Sequence, residues 1–597
     1  MSQYRPQVSD IAFTLEHVVG YPDIAGLPGF EHADLETAVE LLDQCGEFMA
    51  EVVAPTDRNG DLQGARREPD GSVTTPDGFK EAYAQYVEAG WGAVPLPEDF
   101  GGGGFPRTVG LAIQELMTSA NMAFALGPLL TQGAIEALLN YGSEELKQTY
   151  LPKMVSGEWS GTMNLTEPQA GSDVGALTTR AVKNDDGTYA ITGQKIFITY
   201  GDHDMTKQVV HLVLARTPGA PGGTKGISCF IVPKFLVNDD GSLGERNGVE
   251  ALSLEHKLGI HGSPTCVMSY EGATGYLIGE ENIGMRIMFV MMNSARLSVG
   301  MQGLAVGERA YQQSLDYAQE RIQGRAIGAT TDSAIIDFPD VRRMLLTQKT
   351  YLAALRRLML LNASYVDHST NEADPAARAR ALEIVGLLTP ICKSFGTDLG
   401  NELTSLALQI HGGMGFIEET GIAQHYRDVR ITAIYEGTNG IQAADLVGRK
   451  LGVRQGASVM EFHATMREIL PALEAAGAEF DSIRTELERQ FGALEKATGW
   501  MLRTGAQDPN AVLSGSVPYQ RMWGLCLGGW LLARSALAGL TVDDAGQAET
   551  QLVMARFYAE QLLPASAGLL GAATAGSRDL FALDAAQLGD LVRRKVS

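Results

Sequence analysis

The spacing of apolar residues changes twice along the chain, and no other feature of the sequence limits its fold as much. Between residues 34 and 156 apolar residues recur at every third or fourth position, as in "LETAVELLDQCGEFMAEVVAP", and this predicts helices. From Glu158 onward, short alternating or β-branched stretches such as "TYAITGQKIFITYG" are separated by Gly, Asp, Asn and Pro, which predicts strands. After about residue 280 the helical spacing returns.

These changes predict a mainly α fold with a central β unit, and the strand spacing suits a sandwich or a barrel. We adopt a central β-barrel. A chain of 597 residues is too long for one hydrophobic core, so several folded units are expected. We place their boundaries where the pattern changes. This predicts an N-terminal α-helical domain at 1–157, a β-barrel domain at 158–280, a four-helix bundle at 281–455 and a C-terminal helical extension at 456–597.

The net charge of the chain argues against two classes of binding partner. The formal net charge is −24, with 45% hydrophobic and 20% charged residues, which is the composition of a globular protein. A chain this acidic is a poor match for bare nucleic acid or an anionic membrane surface, so neither is expected as a partner.

The cysteines and the termini indicate a reducing compartment. The five cysteines are an odd number and form no CxxC pair, which argues against a disulfide framework and a zinc ribbon, and no HExxH is present, so no metal is expected. The N-terminus "MSQYRPQVSDIAF" lacks the pattern of a signal peptide. The apolar stretch Trp523–Leu540 is interrupted by Arg534 and predicts a buried helix. We therefore expect a cytoplasmic protein without an integral membrane segment.

Three short stretches carry residues suited to chemistry. "MNLTEPQAGSDVGALTTRA", residues 163–181, offers backbone N–H groups and hydroxyls to an anion or a heterocycle, although most such loops are only turns. In "GQKIFITYGD", Phe197 and Thr199 alternate on one strand, where an inward aromatic is ordinarily core. In "RITAIYEGTNGIQ", Glu436 stands between an apolar run and a small polar turn. Alone it is interpreted as a surface or capping carboxylate, because a buried one is costly unless paired, protonated or used.

A fourth candidate is rejected. "VPLPEDFGGGGFP", residues 94–106, has four consecutive glycines but neither the GxGxxG spacing nor a preceding strand of a βαβ unit. We interpret it as a loop.

Taken together, the motifs resemble those of the acyl-CoA dehydrogenase family. "LTEPQAGSD" is similar to that family's flavin-contacting loop, "GQKIFIT" to its following strand, "NSARL" to its substrate-side helix, and "QIHGGMGF" and "YEGTNGIQ" to its late dimer-contact and catalytic signatures. "LPEDFGGGG" resembles its N-terminal domain. The resemblance covers residues 34 to about 449. The length near 600 residues is similar to that of a bacterial branch of this family, which includes broad-range fatty acyl-CoA and 3-methylmercaptopropionyl-CoA dehydrogenases.

The resemblance implies an FAD-dependent oxidoreductase that desaturates an acyl-CoA thioester between its α and β carbons. Glu436 would be the catalytic base that removes the α-proton, while the β-hydrogen leaves as hydride to flavin N5. The Glu436 N–H and a flavin hydroxyl would stabilise the thioester oxygen. The apolar approach of Ile431, Ala433 and Ile434 would raise the pKa of the base once water is expelled.

The resemblance also implies roles for other residues. Met163 and Leu165 would be backbone donors to the flavin, Thr166 and Thr199 hydroxyl donors at its edge and near N5, and Phe197 a stacking ring where many members have Trp. Other FAD contacts would be Gly171, Ser172, Thr438 and Gly440, with Ser172 reaching towards CoA or the pyrophosphate. Arg321, with Gln323 beside it, would hold the pyrophosphate across a dimer interface, and Gln409 and Gly413 would contact the adenosine half of the neighbour's FAD. Substrate contacts would be Arg296, Tyr435, Glu436, Gly437 and Arg449, although a lone helical arginine is more often a surface or ion-pair residue.

The resemblance implies a homodimer that is reoxidised by an electron-transfer flavoprotein. We favour short to medium acyl groups, including 3-(methylthio)propanoyl-CoA, and long-chain acyl-CoA stays open. An acyl-CoA oxidase shares the scaffold and differs in handing electrons to O₂. A DNA-associated, non-enzymatic relative would need a basic C-terminal face, which the net charge of −24 opposes. A membrane-bound enzyme would need a basic amphipathic helix, and the basic cluster "VRRKVS", residues 592–597, is short and terminal.

Overall fold

The computed structural model describes residues 3–589, which divide into two compact units. The first comprises residues 3–16, Gly20–Gln348 and Thr397–Glu436, and the second His17–Val19, Lys349–Gly396 and residues 437–589. The basic cluster at 592–597 lies outside the described residues.

The chain is mostly helical, as predicted. Its α-helices in chain order are α1 Val8–Thr14, α2 Tyr21–Ala25, α3 Leu35–Phe48, α4 Thr56–Gln63, α5 Phe79–Glu88, α6 Arg107–Ala120, α7 Met122–Tyr141, α8 Glu144–Val155, α9 Gly284–Glu320, α10 Pro339–Asn371, α11 Pro375–Ile410, α12 Ile422–Val429, α13 Asn439–Asp445, α14 Ala457–Arg467, α15 Ile469–Ala475, α16 Asp481–Gly505, α17 Pro509–Ser514, α18 Ser516–Gly539, α19 Ala545–Phe557, α20 Ala565–Gly568, α21 Leu570–Thr574 and α22 Ala585–Gly589.

The strands all lie in the first unit, where the sequence places them between helical segments. They are β1 Arg66–Arg67, β2 Val73–Thr74, β3 Trp159–Asn164, β4 Arg180–Lys183, β5 Tyr189–Thr199, β6 Gln208–Ala215, β7 Ser228–Pro233, β8 Phe235–Val237, β9 Leu243–Arg246, β10 Val249–Leu254 and β11 Thr265–Leu277.

The predicted β domain is confirmed, but no closed barrel is detected within residues 3–589. The seven strands of the main sheet follow the order β3-β6-β7-β11-β5-β4, with β10 also pairing β11, and β1-β2 and β8-β9 form separate two-stranded sheets. Within residues 3–589, β3 pairs with β6 and β4 with β5, and an isolated bridge joins Arg180 of β4 to Arg216, just after β6. Strand-rich sequence predicts a β unit, but closure requires a pairing between distant edge strands that alternation does not encode.

The sheet is buried on both faces at its centre. On β6, Val210, Leu212 and Leu214 join one hydrophobic cluster. Val213 and Ala215, on the opposite face, join another. Side chains of a strand alternate between the two faces, so a strand covered on both sides is apolar throughout. This double cover makes the sheet a rigid support for the loops at its edges.

Helix α7 packs on one face of this sheet and against α9. Asn121 caps it by accepting from Phe124 N at 3.0 Å. Among the described residues α7 is the one helix long and apolar enough to cross a membrane, and 89% of its most apolar window is buried inside the protein. Its composition is therefore that of a core helix.

The second unit is helical and contains the apolar stretch Trp523–Leu540. Most of that stretch forms α18, whose residues Trp523 and Leu531 are fully buried, as expected for a core helix. Arg534 lies over the Trp530 ring at 5.1 Å. All five cysteines of the chain are buried, and each is a free thiol in the structure.

Candidate active site

The ends of β3 and β5 are held side by side by hydrogen bonds. The Thr162 hydroxyl donates to Thr199 O at 2.7 Å, and Ile196 N donates to Thr166 O at 2.9 Å. The fold therefore brings together the two stretches that the sequence singled out, with Met163, Leu165 and Thr166 on one and Phe197 and Thr199 on the other.

This edge presents donors without protein partners. Within residues 3–589 the hydroxyls of Thr166 and Thr199 make no hydrogen bond, although both residues are half-buried. Farther along the loop Gly171 and Ser172 are exposed, and a Cβ at Gly171 would meet nothing within 4 Å. A half-buried hydroxyl without a protein partner can donate to a bound molecule that carries acceptors along its edge.

Phe197 lies in a β-bulge that turns its side chain out of the sheet. Between Cys266 and Met268 the register on β11 advances two residues while β5 advances three, from Ile198 to Lys195. Phe197 occupies the extra position with φ 60° and is 59% exposed. Bulges redirect side chains at functional edges, and a left-handed aromatic residue is an outlier that other contacts must maintain. The alternative that Phe197 is core is wrong, and its exposed ring suits a planar partner.

Glu436 lies in a strained turn that follows a short helical segment. Residues Arg430–Ala433 form a 3₁₀ turn, after which Tyr435 N donates to Ile431 O at 3.1 Å. Glu436 then has φ 55° and Gly437 has φ 86°. Positive φ is costly for a residue with a Cβ and recurs at functional sites. Glu436 is half-buried, so the interpretation as an ordinary surface carboxylate does not describe it.

Two contacts from α9 support this turn. The Arg296 Nε donates to Glu436 O at 3.4 Å, and its Nη1 donates to Asn293 Oδ1 at 3.3 Å. Arg296 is buried, so the alternative of a surface arginine is wrong. The Tyr435 hydroxyl donates to the Oε1 of Gln302, which is fully buried. Burial and then the charge of Glu436 raise the pKa of Tyr435, so its hydroxyl stays protonated and remains a donor.

Four other predicted residues lie together at an exposed end of the first unit. Arg321 and Gln323 follow α9, and the Arg321 Nη2 donates to Gln323 Oε1 at 3.1 Å. Gln409 and Gly413 lie at the end of α11 and are exposed. The stacked rings of Tyr317 and His411, with centroids 4.4 Å apart, hold the ends of α9 and α11 together.

The remaining predicted residues belong to the second unit. The Thr438 side chain caps α13 by accepting from Ile441 N at 3.3 Å, and Gly440 is exposed. Arg449 pairs with Asp445, one helical turn earlier, at 2.5 Å. A substrate role for Arg449 stays a prediction.

Sequence reasoning missed the partners that hold these elements. Gln302 was not singled out, because a glutamine in a helix has no local signal for a contact with Tyr435, 133 residues away. Glu167 and Lys195 form a buried ion pair of 2.8 Å inside the two quoted motifs. The sequence contains a signal for this pair, because a Lys and a Glu each stand among apolar or small residues near the end of a strand. Charged residues in such a place are rarely buried unless they are paired. No cluster of metal-ligating side chains occurs in the part of the chain that the structure describes.

Comparison with protein families matches four consecutive segments. They correspond to the acyl-CoA dehydrogenase N-terminal domain at residues 36–158, middle domain at 162–273 and C-terminal domain at 282–451, and to the acetyl-CoA dehydrogenase C-terminal-like domain at 459–584.

Individual relatives extend over almost the whole chain. The 3-methylmercaptopropionyl-CoA dehydrogenase of Ruegeria pomeroyi is 46% identical over 94% of this chain and 96% of its own. A broad-specificity linear acyl-CoA dehydrogenase of Mycobacterium tuberculosis is 35% identical over 94% of this chain and 96% of its own. The structure of Caenorhabditis elegans ACDH-11 in complex with C11-CoA has a TM-score of 0.78 at 20% identity, covers 94% of this chain and 93% of its own, and shows a shared fold.

Proposed function

The chain belongs to the acyl-CoA dehydrogenase family, and on that premise we propose that its substrate is a short acyl-CoA of the 3-(methylthio)propanoyl type. Members of the family are FAD-dependent oxidoreductases, so the expected enzyme class and cofactor are confirmed at that level. The substrate proposal draws on the relative that is 46% identical, whose name gives 3-methylmercaptopropionyl-CoA as its substrate. The broad-specificity relative, at 35% identity, keeps longer linear acyl chains as the second candidate.

The strained turn at Glu436 is the observation that best supports the reaction. A left-handed glutamate costs about 1–3 kcal/mol, and its retention requires a benefit elsewhere. Two residues of α9 hold this turn, since Arg296 donates to Glu436 O and Gln302 accepts from the hydroxyl of the neighbouring Tyr435. We propose that this geometry aims the Glu436 carboxylate at the α-carbon of the thioester.

In the proposed reaction the Glu436 carboxylate accepts the α-proton, and the β-hydrogen leaves with its electron pair, so a single C–C bond becomes a trans double bond. FAD, when bound, supplies the two-electron acceptor for that hydride. The protein must hold the thioester against Glu436 and keep water from the carboxylate, since a desolvated carboxylate is a stronger base. The apolar residues Ile431, Ala433 and Ile434 before Glu436 favour the exclusion of water from its carboxylate.

The residues proposed to hold FAD fit a flat ring with acceptors at its edge. The hydroxyls of Thr166 and Thr199, which make no hydrogen bond within the described part of the chain, are the donors. The exposed ring of Phe197 is the stacking surface. We assign Met163, Leu165, Gly171 and Ser172 to the same site. We also assign to it Thr438 and Gly440, which follow Glu436 closely in the sequence.

We further propose a homodimer, reoxidised by an electron-transfer flavoprotein and located in the cytoplasm. The exposed end of the first unit carries Phe416, 91% exposed, and Ile327, 102% exposed, near Arg321 and Gln409 in the sequence. Large apolar side chains this exposed commonly mark protein interfaces.

Five free, buried cysteines suit a reducing compartment. The division into four domains also stays a proposal.

The test is an anaerobic titration of the purified holoenzyme with acyl-CoAs of increasing length and with 3-(methylthio)propanoyl-CoA. We expect the flavin absorbance to bleach, fastest with the sulfur-containing thioester. Glu436→Gln should abolish bleaching, whereas Glu419→Gln, which changes an exposed glutamate of the first unit, should not. Faster bleaching by a long-chain thioester would refute the substrate proposal. Rapid reoxidation by O₂ after bleaching would favour the oxidase alternative.

A further inference from the structure

Two charged residues of the flavin-loop motifs have no role in the proposed function. They are Glu167 in "LTEPQAGSD" and Lys195 in "GQKIFIT", and both side chains are almost fully buried. We propose that the Lys195–Glu167 pair is a positioning device that sets the conformation of the Leu165–Thr166 segment and thereby the affinity for FAD. The proposal rests on the proposed function, because it takes Thr166 as a flavin contact.

The Glu167 carboxylate accepts hydrogen bonds from residues along the whole loop. Besides Lys195, it accepts hydrogen bonds from Gln169 Nε2, Thr178 N, Thr178 Oγ1, Thr179 N and Thr179 Oγ1, at 2.6–3.1 Å. These donors come from both sides of the exposed Gly171–Ser172 tip. A carboxylate has about four acceptor directions, so this one is saturated and the two ends of the loop are fixed to each other.

Lys195 ties that carboxylate to the segment proposed to face the flavin. Its Nζ donates to Glu167 Oε1 at 2.8 Å and to Leu165 O at 3.1 Å. The next residue, Ile196, donates its backbone N–H to Thr166 O at 2.9 Å. Two consecutive carbonyls of the loop are therefore held by two consecutive residues of β5. With both carbonyls directed at β5, the orientation of the Leu165–Thr166 peptide is determined, and so is the direction of the Thr166 Cα–Cβ bond.

Stability alone does not explain a charged pair at this place. Desolvating two charges is costly, and apolar replacements of buried pairs are often equally stable. Burial raises the pKa of Glu167, but Lys195 and the loop donors outweigh it and lower that pKa to about 2, so the carboxylate stays charged at neutral pH. Only an ionised carboxylate accepts from all of these donors at once. The loop therefore keeps this conformation only while the Glu167 carboxylate is negatively charged.

The β unit contains a matched control pair. Lys234 Nζ contacts Asp202 Oδ1 at 2.6 Å, with side-chain exposures of 13% and 4%. Lys234 follows β7, and neither partner belongs to the loop or to β5. Loss of this pair should cost stability without changing the flavin segment.

The experiment compares FAD binding with folding stability in purified holoenzymes. FAD is removed and rebound to the wild type, Lys195→Met, Glu167→Gln and Lys234→Met, and the dissociation constant is measured by flavin fluorescence. The visible circular dichroism of bound FAD reports the ring environment, and the melting temperature is followed in parallel. We expect Lys195→Met and Glu167→Gln to weaken FAD binding at least tenfold and to change the dichroism. Lys234→Met should stay within threefold with an unchanged dichroic spectrum.

The double variant Glu167→Gln/Lys195→Met separates positioning from folding. Because both charges are removed together, its melting temperature should recover towards that of the wild type, while FAD affinity stays low. Recovery of both properties would overturn the proposal, and so would loss of FAD affinity in Lys234→Met equal to that in Lys195→Met. If Lys195→Met does not fold, the double variant decides by the same criteria, and its failure to fold would show a purely structural role. Absence of FAD binding by the wild type would instead refute the proposed function.

Discussion

The left-handed backbone at Glu436 predicts that glycine is more stable than alanine at this position. Both variants remove the carboxylate, so their difference isolates the effect of the Cβ at φ 55°. Relief of the left-handed conformation is worth about 1–2 kcal/mol. The greater freedom of glycine in the unfolded chain opposes this by about 0.4–1 kcal/mol. Glu436→Gly should therefore be more stable than Glu436→Ala by about 1 kcal/mol.

A matched glutamate gives the opposite order. Glu419 lies in the 3₁₀ turn Glu418–Thr420, is exposed and has no positive φ. At this position the unfolded-state term acts alone, and alanine should be more stable than glycine by about 0.4–1 kcal/mol. The reversal between two glutamates of the same unit distinguishes backbone strain from a general effect of glycine.

The assay is scanning calorimetry of all four variants with saturating FAD. In a unit this large, 1 kcal/mol corresponds to a melting shift of about 1–2 °C, so replicate scans are required. Both Glu436 variants should also fail to bleach with acyl-CoA. If Glu436→Ala melts at or above Glu436→Gly while the Glu419 pair behaves as expected, the left-handed turn is not strained and its use as evidence for the catalytic base is wrong.

Three further predictions concern the supports of the site. Tyr435→Phe leaves the buried Oε1 of Gln302 without its donor and should destabilise the protein by about 1–3 kcal/mol in calorimetry, whereas adding Gln302→Leu should recover most of the loss. Phe197→Leu removes an aromatic contact worth about 0.5–1.5 kcal/mol and should weaken FAD binding about 2- to 13-fold; an unchanged dissociation constant would contradict stacking. The pKa of Glu167 is lowered from its ordinary 4.5 to about 2, so its contribution to stability is present above pH 4.5 and is lost as the pH falls towards 2. Acid titrations of melting temperature should show this loss in the wild type and a flatter profile in Glu167→Gln.

Local patterns were sufficient for the order of helices, strands and helices and for the family. Short, β-branched apolar stretches such as β6 and β7 are recognisable because every side chain of a strand buried on both faces contacts a core, whatever the partner strand. The motifs around Thr166, Phe197 and Glu436 were found for a related reason. Each is a short contiguous stretch whose residue types follow from a local task, such as a tight turn or a hydroxyl donor.

The tertiary structure decided what depends on pairing between distant segments. The open edge of the sheet at β3 was not evident, since closure concerns strands that are not neighbours in sequence. The outward turn of Phe197 arises from a register shift against β11, and β5 alone reads as simple alternation. Arg296 meets Glu436 across 140 residues. The sequence by itself determined which residues form the candidate site, because residue types and local spacing can be seen in it directly. The strain, the bulge and the buried supports came only with the fold, because hydrogen bonds between remote segments create them.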